Sequence, residues 1–595
     1  MGIILVIFIL VINSFGLLGQ ENAVVKFKVN ASSLNNITNF GVRGSASPLS
    51  WEKTILLQDA DKDGIYEGEL SFPQTIEVLE YKYVYGDKTL VWELEAQNRI
   101  LLLNNKQIQL SDTWNIQNQL DVGKLPKLNA EKLTEDFIIF KKALLEIHPG
   151  LYRYKTKAEM DSVFNHFQEV FSKPLSYQEA FLNFTRLTSA IQCGHTFPSF
   201  YNQIGFVKEV VLNQKDKLPF TFRVLDEQIV IIENIAENVD LPIGTEILAI
   251  EGIPTQTLLK ETAKLVKADG TNDAKRYADL NTFGIGGYFE MFDCYFPLLY
   301  PPANEQYTIK IKKPNSEKAE ELKIKTVSRN ERMNALIKKN PNHISKADQL
   351  WKLEFWENNT AYLQLGTFDV FQLSFEWSTF LKNAFSEIKK RKIKNLVIDI
   401  RWNEGGQDEV LLFIGRNLAK QPIKIPQRQD LVRYRKIPAE LKSYLFTWNN
   451  DFFDLSPKTK PYNENFYILT GDNITEIQPS KNAFEGNTYL LVNAVNSSAT
   501  FYFAEIAKEN KLATLIGETT GGSQKGLNAG TMFFLRLPNS KIEIDIPIIG
   551  SFSVDKPSEG IKPDIVVKQS KNSIIKGEDN VLKITQEVIN KNVKN

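Results

Sequence analysis

Three apolar runs in the last third of the chain constrain its fold most tightly. They are Leu396-Val397-Ile398-Asp399-Ile400, Tyr489-Leu490-Leu491-Val492-Asn493 and Leu512–Ile516. A strand with one face in water alternates apolar and polar residues, so runs without that alternation belong to strands covered on both faces. Segments of helical period intervene: Phe375–Lys390 precedes the first run, and Ala499–Glu509 separates the second from the third. Buried strands alternating with helices predict a sheet covered on both faces. This reading gives an α/β core over residues 350–590.

A chain of 595 residues exceeds what one hydrophobic core organises. Residues 24–115 read as all-β, with short strand-like runs such as VVKFKV, GIYEGEL and EVLEYKYVYG separated by turn residues. Residues 126–204 read as a helical region. Leu133, Phe137, Phe140, Leu144 and Ile147 recur at helical spacing, as do Met160, Val163, Phe167 and Val170. Ser176-x-x-Glu179 is a capping box that opens a third helix, which Gly194 should close as its C′ residue, with His195 just beyond. Residues 205–325 return to strands. The fold class is multidomain α/β: an N-terminal β-sandwich, a helical region, a β-rich module and a C-terminal α/β core.

Lys+Arg and Asp+Glu each number 71, so the formal net charge is zero and nucleic acid is excluded as a partner on electrostatic grounds. Two cysteines and four histidines cannot build a repeated zinc scaffold or a disulfide framework; a Cys193–Cys294 bridge is the one pairing available. No metal or other cofactor is expected. Ile3–Leu18 is an apolar run of signal-peptide length, followed by Gly19-Gln20-Glu21. The expectation is a signal peptide over residues 1–20, a periplasmic or secreted protein, and no membrane-spanning segment after cleavage.

Candidate chemistry gathers in three places. Asn493-Ala494-Val495-Asn496-Ser497-Ser498-Ala499 follows a buried strand and opens a helix. A serine there meets the free N–H groups of the first turn, which can hold an oxyanion; equally, Ser497 and Ser498 can serve as ordinary N-caps. Arg401-Trp402-Asn403-Glu404-Gly405-Gly406 is a second strand-end turn, and its paired glycines let backbone approach a ligand closely. It lacks the Gly-Lys-Ser/Thr ending of a phosphate loop. Activating a serine at neutral pH needs a base, usually imidazole. Of the four histidines, His166 lies in an amphipathic helix, His148 at a helix end before Pro149, and His343 in a polar loop, which leaves His195 as the candidate.

Together these segments resemble the C-terminal-processing (tail-specific) serine peptidase family, in its tricorn-core-like, His-dependent branch. The glycine turn is Asp399-x-Arg401-x-Asn403-x-Gly405-Gly406; the nucleophile strand and helix run from Val492 past Ser498. The following loop is Ile516-Gly517-Glu518-Thr519-Thr520-Gly521-Gly522, the closing segment Ser558–Ile565, and the Gly-His-Thr element Gly194-His195-Thr196. The resemblance implies Ser498 as nucleophile, His195 as general base and Glu559 as the carboxylate that orders it. It further implies an oxyanion hole from Gly405 or Gly406 with the Ala499 N–H, and acyl transfer without a metal. Two positions depart from the family. Ser523 stands where the Ser-Lys branch has its lysine, with Lys525 two residues late, and Gly194 stands where a serine can link the histidine to the glutamate.

Leu241–Gly252 resembles the core of PDZ-like domains, which implies a peptide or protein partner bound by strand addition, including through its C-terminus; the alternative is a structural lid without peptide affinity. Residues 24–115 resemble a starch-binding module, in which Trp51 and Trp92 would stack on sugar faces while Lys82 and Asn98 bond hydroxyls; the resemblance implies an α-glucan partner, and the alternative is a β-sandwich whose Trp residues are packing. Asp59-x-Asp61-x-Asp63-Gly64 looks like the start of a calcium loop, but position twelve is Leu70, so the reading is a solvated turn.

Overall fold

A computed structural model describes residues 22–594 apart from 74, 94–97, 104, 117–119 and 472–473. The apolar run Ile3–Leu18 lies outside the described residues. The chain divides into two compact units, Met1–Leu125 and Pro126–Asn595. Among the described residues no helix is long and apolar enough to cross a membrane.

The first unit is a β-sandwich. Asn22–Asn30 pairs antiparallel with Ile65–Pro73 along its whole length, and parallel with Gln107–Gln109. A second sheet is built on Val78–Tyr85, flanked by Gly41–Gly44 and Arg99–Leu102. Period-two alternation turns Ala23, Val25, Phe27 and Val29 inward, where they meet Val42, Tyr81 and Tyr83 of the other sheet. Arg99 is buried between Glu93 (2.7 Å) and Asp112 (3.2 Å).

The second unit opens with three helices, Ala130–Ile147, Lys157–Phe171 and Tyr177–Ile191. Thr156 and Ser176 both complete capping boxes, with Glu159 and Glu179. The middle helix buries Met160, Phe164, Phe167 and Phe171 rather than the expected Val163 and Val170, because the phenylalanines one position on carry more apolar area. The third helix ends at Ile191, with Gln192 in the left-handed conformation at φ 60°; Gly194 is not its C′ residue.

An antiparallel sheet follows, in the order Phe220–Leu225, Gln228–Asn234, Glu246–Ile250, Gln306–Lys312, Ala319–Lys325. The expectation of strands throughout 205–325 is corrected here, since the helices Gly205–Val211, Thr255–Ala263, Asp273–Ala278 and Met291–Leu299 lie in the same stretch. Met291–Leu299 buries every residue from Met291 to Pro297, so it shows no amphipathic period to read.

The core sheet has the order Trp351–Trp356, Thr360–Leu365, Asn395–Asp399, Asn487–Val492, Thr514–Gly517, Ile565–Val566. Its first pair is antiparallel and the other four are parallel. Alternate residues serve two cores. Leu396, Ile398, Leu490 and Val492 pack beneath the helices Trp377–Lys390, Asp408–Leu418 and Ser498–Glu509, while Val397, Tyr489, Leu491 and Ile516 pack against Val581 and Ile589 of Asn580–Lys594. Coverage of both faces explains the apolar runs. A six-stranded antiparallel sheet around Asn528–Arg536 and Glu543–Phe552 also lies beyond residue 350, where the sequence suggested only α/β alternation.

Candidate active site

The strand Asn487–Val492 gives way to a turn whose polar side chains are committed to the neighbouring glycine turn. The Asn496 amide donates to Ile400 O (2.5 Å) and Asn403 O (3.0 Å). Ser497 Oγ donates to Glu404 O at 2.9 Å, and Thr500 Oγ1 to Asn403 O at 3.0 Å. Ser497 therefore does not cap the helix that follows, and no other side chain does. The first intrahelical bond runs from Phe501 N to Ser497 O, so the N–H groups of Ser498, Ala499 and Thr500 precede it. Ser498 itself is left-handed at φ 51°, a conformation that costs a residue with a Cβ about 1–2 kcal/mol.

Both glycines of the facing turn are also left-handed, but they contribute differently. The Gly405 N–H donates to Asn403 Oδ1 at 2.9 Å. What Gly405 supplies is space, because a Cβ there would stand 2.7 Å from Ser498 Cβ and 3.1 Å from Ala499 N. At Gly406 (φ 138°) a Cβ would lie 1.9 Å from the Phe368 carbonyl carbon. Phe368 N–H donates to Gly405 O (2.9 Å) and Gln407 N–H to Phe368 O (2.8 Å), while the Gly406 N–H meets no acceptor among the described residues. Two unused backbone donors, on Gly406 and Ala499, thus belong to turns pressed together at Ser498. That arrangement can stabilise a developing oxyanion.

His195 lies in the loop after the third helix, half-buried, with Nδ1 sealed from solvent and without a hydrogen-bond partner. Burial, followed by the charges of Lys267 and Lys275, holds its pKa down to about 3, so the ring is neutral at physiological pH. No hydrogen bond joins its ring to Ser498 or Glu559 among the described residues. Glu559 is exposed, as is Lys525, whereas Ser523 is buried with an unpartnered hydroxyl. His148 is fully buried, with Nε2 2.8 Å from Thr196 Oγ1. His166 is exposed. His343, expected in a polar loop, is instead buried between Gly284 O (3.3 Å) and Glu233 (3.5 Å). Cys193 and Cys294 are both free, buried thiols.

Two residues at the site escaped the sequence reading. Lys275 is buried and donates to Asp279 (2.7 Å), Glu404 (3.1 Å) and Val495 O (3.1 Å), which ties the glycine turn to the nucleophile turn. Burial works against its charge, but Asp279 and Glu404 outweigh it and raise its pKa. Asp269, also buried, accepts the Gly194 N–H at 3.0 Å. Neither stands in a motif. The contacts of each join segments from 75 to 220 residues apart, for which sequence carries no local signal.

Residues 359–567 match the model of peptidase family S41. The chain carries an S41 peptidase domain. That domain contains Ser498, both glycines and Glu559, whereas His195, Asp269 and Lys275 precede the matched segment. Among solved structures, the chain is similar to mature CPAF complexed with lactacystin, at TM-score 0.53 and 13% identity over 77% of this chain and 98% of that one. It is similar also to mature CPAF alone, at TM-score 0.52 and 13% identity over 78% and 98%. At such identity the likeness is one of fold. No curated protein sequence matches the chain.

In the first unit the rings of Trp51 and Trp92 stand together, both half-buried, with centroids 6.4 Å apart. The Arg43 guanidinium lies 5.3 Å from the Trp92 ring centre and donates to Trp51 O. Lys82 is 7% exposed and offers a ligand little surface, and the Asn98 amide donates to the Glu80 carboxylate. The carboxylates of Asp59, Asp61 and Asp63 converge within 4.8 Å, but Asp59 is occupied in closing the turn through the N–H groups of Asp63 and Gly64.

Proposed function

We propose that the protein is an exported serine endopeptidase that hydrolyses peptide bonds through an acyl-enzyme on Ser498, with His195 as general base. One observation carries the reading: Ser498 sits left-handed at an uncapped helix start, against a glycine turn, with the Gly406 and Ala499 N–H groups unspent among the described residues. In the proposed reaction Ser498 Oγ attacks the scissile carbonyl while its proton passes to His195 Nε2. The two N–H groups take the oxyanion, and the leaving amine receives the proton from His195. Water then repeats the sequence to free Ser498. A neutral imidazole is ready to accept a proton, which favours His195 over the exposed Lys525. The antiparallel sheet between residues 220 and 325 would present an extended peptide by strand addition, in the manner of PDZ-like modules.

A fluorophosphonate probe should label the protein, with the adduct mapped to Ser498 by mass spectrometry. His195→Ala should abolish turnover while Lys525→Ala keeps most of it. The reverse pattern would move the base to Lys525, and failure to label an accessible Ser498 would favour a non-catalytic binder on the same fold.

A second reading rests on the Trp51–Trp92 pair, which we propose as a platform for an α-glucan. The full chain should be retarded in a gel containing soluble starch, and Trp92→Ala should remove the retardation without lowering the melting temperature. If Trp92→Ala unfolds the first unit instead, the ring is a packing residue.

A further inference from the structure

A cavity of about 400 Å³ opens beside Gln192, three residues before His195, and its wall carries mostly one sign of charge. Lys155, Arg186, Lys264 and Arg276 line it, against the single carboxylate of Glu261. Four segments bring the cations together. Lys155 precedes the helix Lys157–Phe171, Arg186 lies in Tyr177–Ile191, Lys264 follows Thr255–Ala263, and Arg276 belongs to Asp273–Ala278.

Two of these cations are spent on acids. Lys264 pairs with Glu261 at 2.7 Å, and the buried Arg276 pairs with the exposed Asp273 at 2.9 Å. Lys155 and Arg186 enter no ion pair among the described residues. The Arg186 guanidinium donates only to the neutral Asn183 Oδ1, at 3.1 Å. Glu159, which feels the Lys155 charge, is exposed and committed to the Thr156 capping box. Helix ends do not explain the pattern either. Lys264 is the C-cap of its helix, where a cation is favoured. Lys155 stands before the N-cap Thr156, at the end where a cation is disfavoured, and Arg186 lies outside the last turn of its helix. Leu265 and Leu299 form an apolar part of the same wall, and a recess of one sign with apolar walls concentrates its field on an incoming counter-ion.

We propose that this cavity binds a small polyanion carrying phosphate or carboxylate groups, held by Lys155, Arg186 and Arg276. Guanidinium groups take both kinds of oxyanion through paired N–H donors, and the volume is that of a small-molecule site. The seat also bears on the loop ahead of His195. Arg276 Nη2 donates to Gly270 O at 2.9 Å, Gly270 N–H donates to Gln192 O at 2.9 Å, and Gln192 itself lines the cavity. An anion on Arg276 therefore braces the contact between residues 192 and 270. Binding there requires nothing of Ser498.

Isothermal titration of the full chain with inorganic pyrophosphate, and separately with citrate, reads the site. One anion per chain should bind with a Kd of about 10–100 μM, weakening by about ten-fold between about 50 and about 300 mM NaCl. Binding of pyrophosphate alone would assign phosphate as the recognised group and binding of citrate alone would assign carboxylate; either supports the site. In Lys155→Ala/Arg186→Ala the affinity should fall by at least about ten-fold, and melting without anion should stay at the wild-type temperature, because the two side chains are lightly bonded. Lys382→Ala/Lys420→Ala, which removes two exposed lysines outside the cavity, should keep wild-type affinity. Unchanged affinity in the cavity variant, an equal loss in both variants, or no saturable binding of either anion would overturn the proposal. If the cavity variant fails to fold, hydrogen exchange of the wild-type chain decides. Pyrophosphate should slow exchange by at least about five-fold at the amides of residues 186–194 and 261–276, and slowing confined to other segments would refute the cavity.

Discussion

Gly406→Ala tests the proposed oxyanion hole at the point where structure leaves least room. The added Cβ would lie 1.9 Å from the Phe368 carbonyl carbon, 2.1 Å from Asp369 N and 2.2 Å from Phe368 O. All three are backbone atoms, so no side-chain rotation relieves the overlap, and φ 138° is strained for alanine in any case. The turn must move away from Phe368, which breaks the bonds Phe368 N–H to Gly405 O and Gln407 N–H to Phe368 O. Two net hydrogen bonds are worth about 2 kcal/mol and the strain about 1–2 kcal/mol, so stability should fall by about 3–4 kcal/mol. At roughly 2 °C per kcal/mol for a large domain, calorimetry should record a drop of about 6–8 °C. Displacing the Gly406 N–H should also slow acylation of Ser498 by about 100- to 1,000-fold, the usual effect of losing one oxyanion donor. Gly471→Ala, where nothing lies within 4 Å of the new Cβ, is the control and should melt and acylate like wild type. A Gly406→Ala protein with unchanged melting and an unchanged acylation burst would refute both the packing and the oxyanion argument.

Other perturbations follow from the same geometry. Ser498→Gly removes the left-handed strain of φ 51° at the entropic cost of a glycine, so the inactive variant should be more stable than wild type by about 0.5–1 kcal/mol in urea unfolding; a loss of stability would show that Ser498 is not strained. Lys275→Met should cost about 3–5 kcal/mol, because Glu404 and Asp279 lose their shared cation. With the Asp279 pKa already pushed up to about 7 by burial, that loss should be smaller at pH 5 than at pH 8, and an equal loss at both would refute the ionic account. His148 is held down to about 3 by burial, so the unfolded chain, titrating near 6.5, takes up the proton first on acidification. Its contribution is therefore fully present above about pH 6.5 and is lost as pH falls toward 3. Relative to His148→Gln, wild type should lose about 1.4 kcal/mol per pH unit between pH 6 and pH 4, and parallel curves would refute the burial argument.

How far the sequence could be read depended on the range of the interaction that made each feature. The capping box at Ser176, the buried stripe Leu133–Phe137–Phe140–Leu144–Ile147 and the core strands are set by neighbours within a turn or by burial on both faces, and all appear in the structure. Met291–Leu299 went unseen because it is buried all round, and the His343 environment because Gly284 and Glu233 reach it from far along the chain. The same holds within the candidate site. Ser498 and the glycines announce themselves through strand-end turns, whereas Asp269 and Lys275 act only once 192–194, 269–279, 404 and 495 have been brought together.

The features that mark this site are those that local rules would forbid. A serine with a Cβ sits left-handed, a helix begins without a cap although two serines stand at its start, and a glycine is pressed onto backbone. Beside them an imidazole nitrogen is buried without a partner and a lysine is buried among carboxylates. Each costs free energy, and a stable fold keeps such costs only where other bonds over-determine the geometry. Here that constraint can be traced: Asn403, Asn496, Ser497 and Thr500 bind the two turns to each other through buried bonds, and Lys275 binds both to the helix Asp273–Ala278. None of these five side chains needs to touch a substrate. Their effect is to keep Ser497 from capping and Ser498 from relaxing, which leaves the Ala499 N–H with no partner among the described residues. The donor is available to a ligand because the residue best placed to satisfy it is held elsewhere.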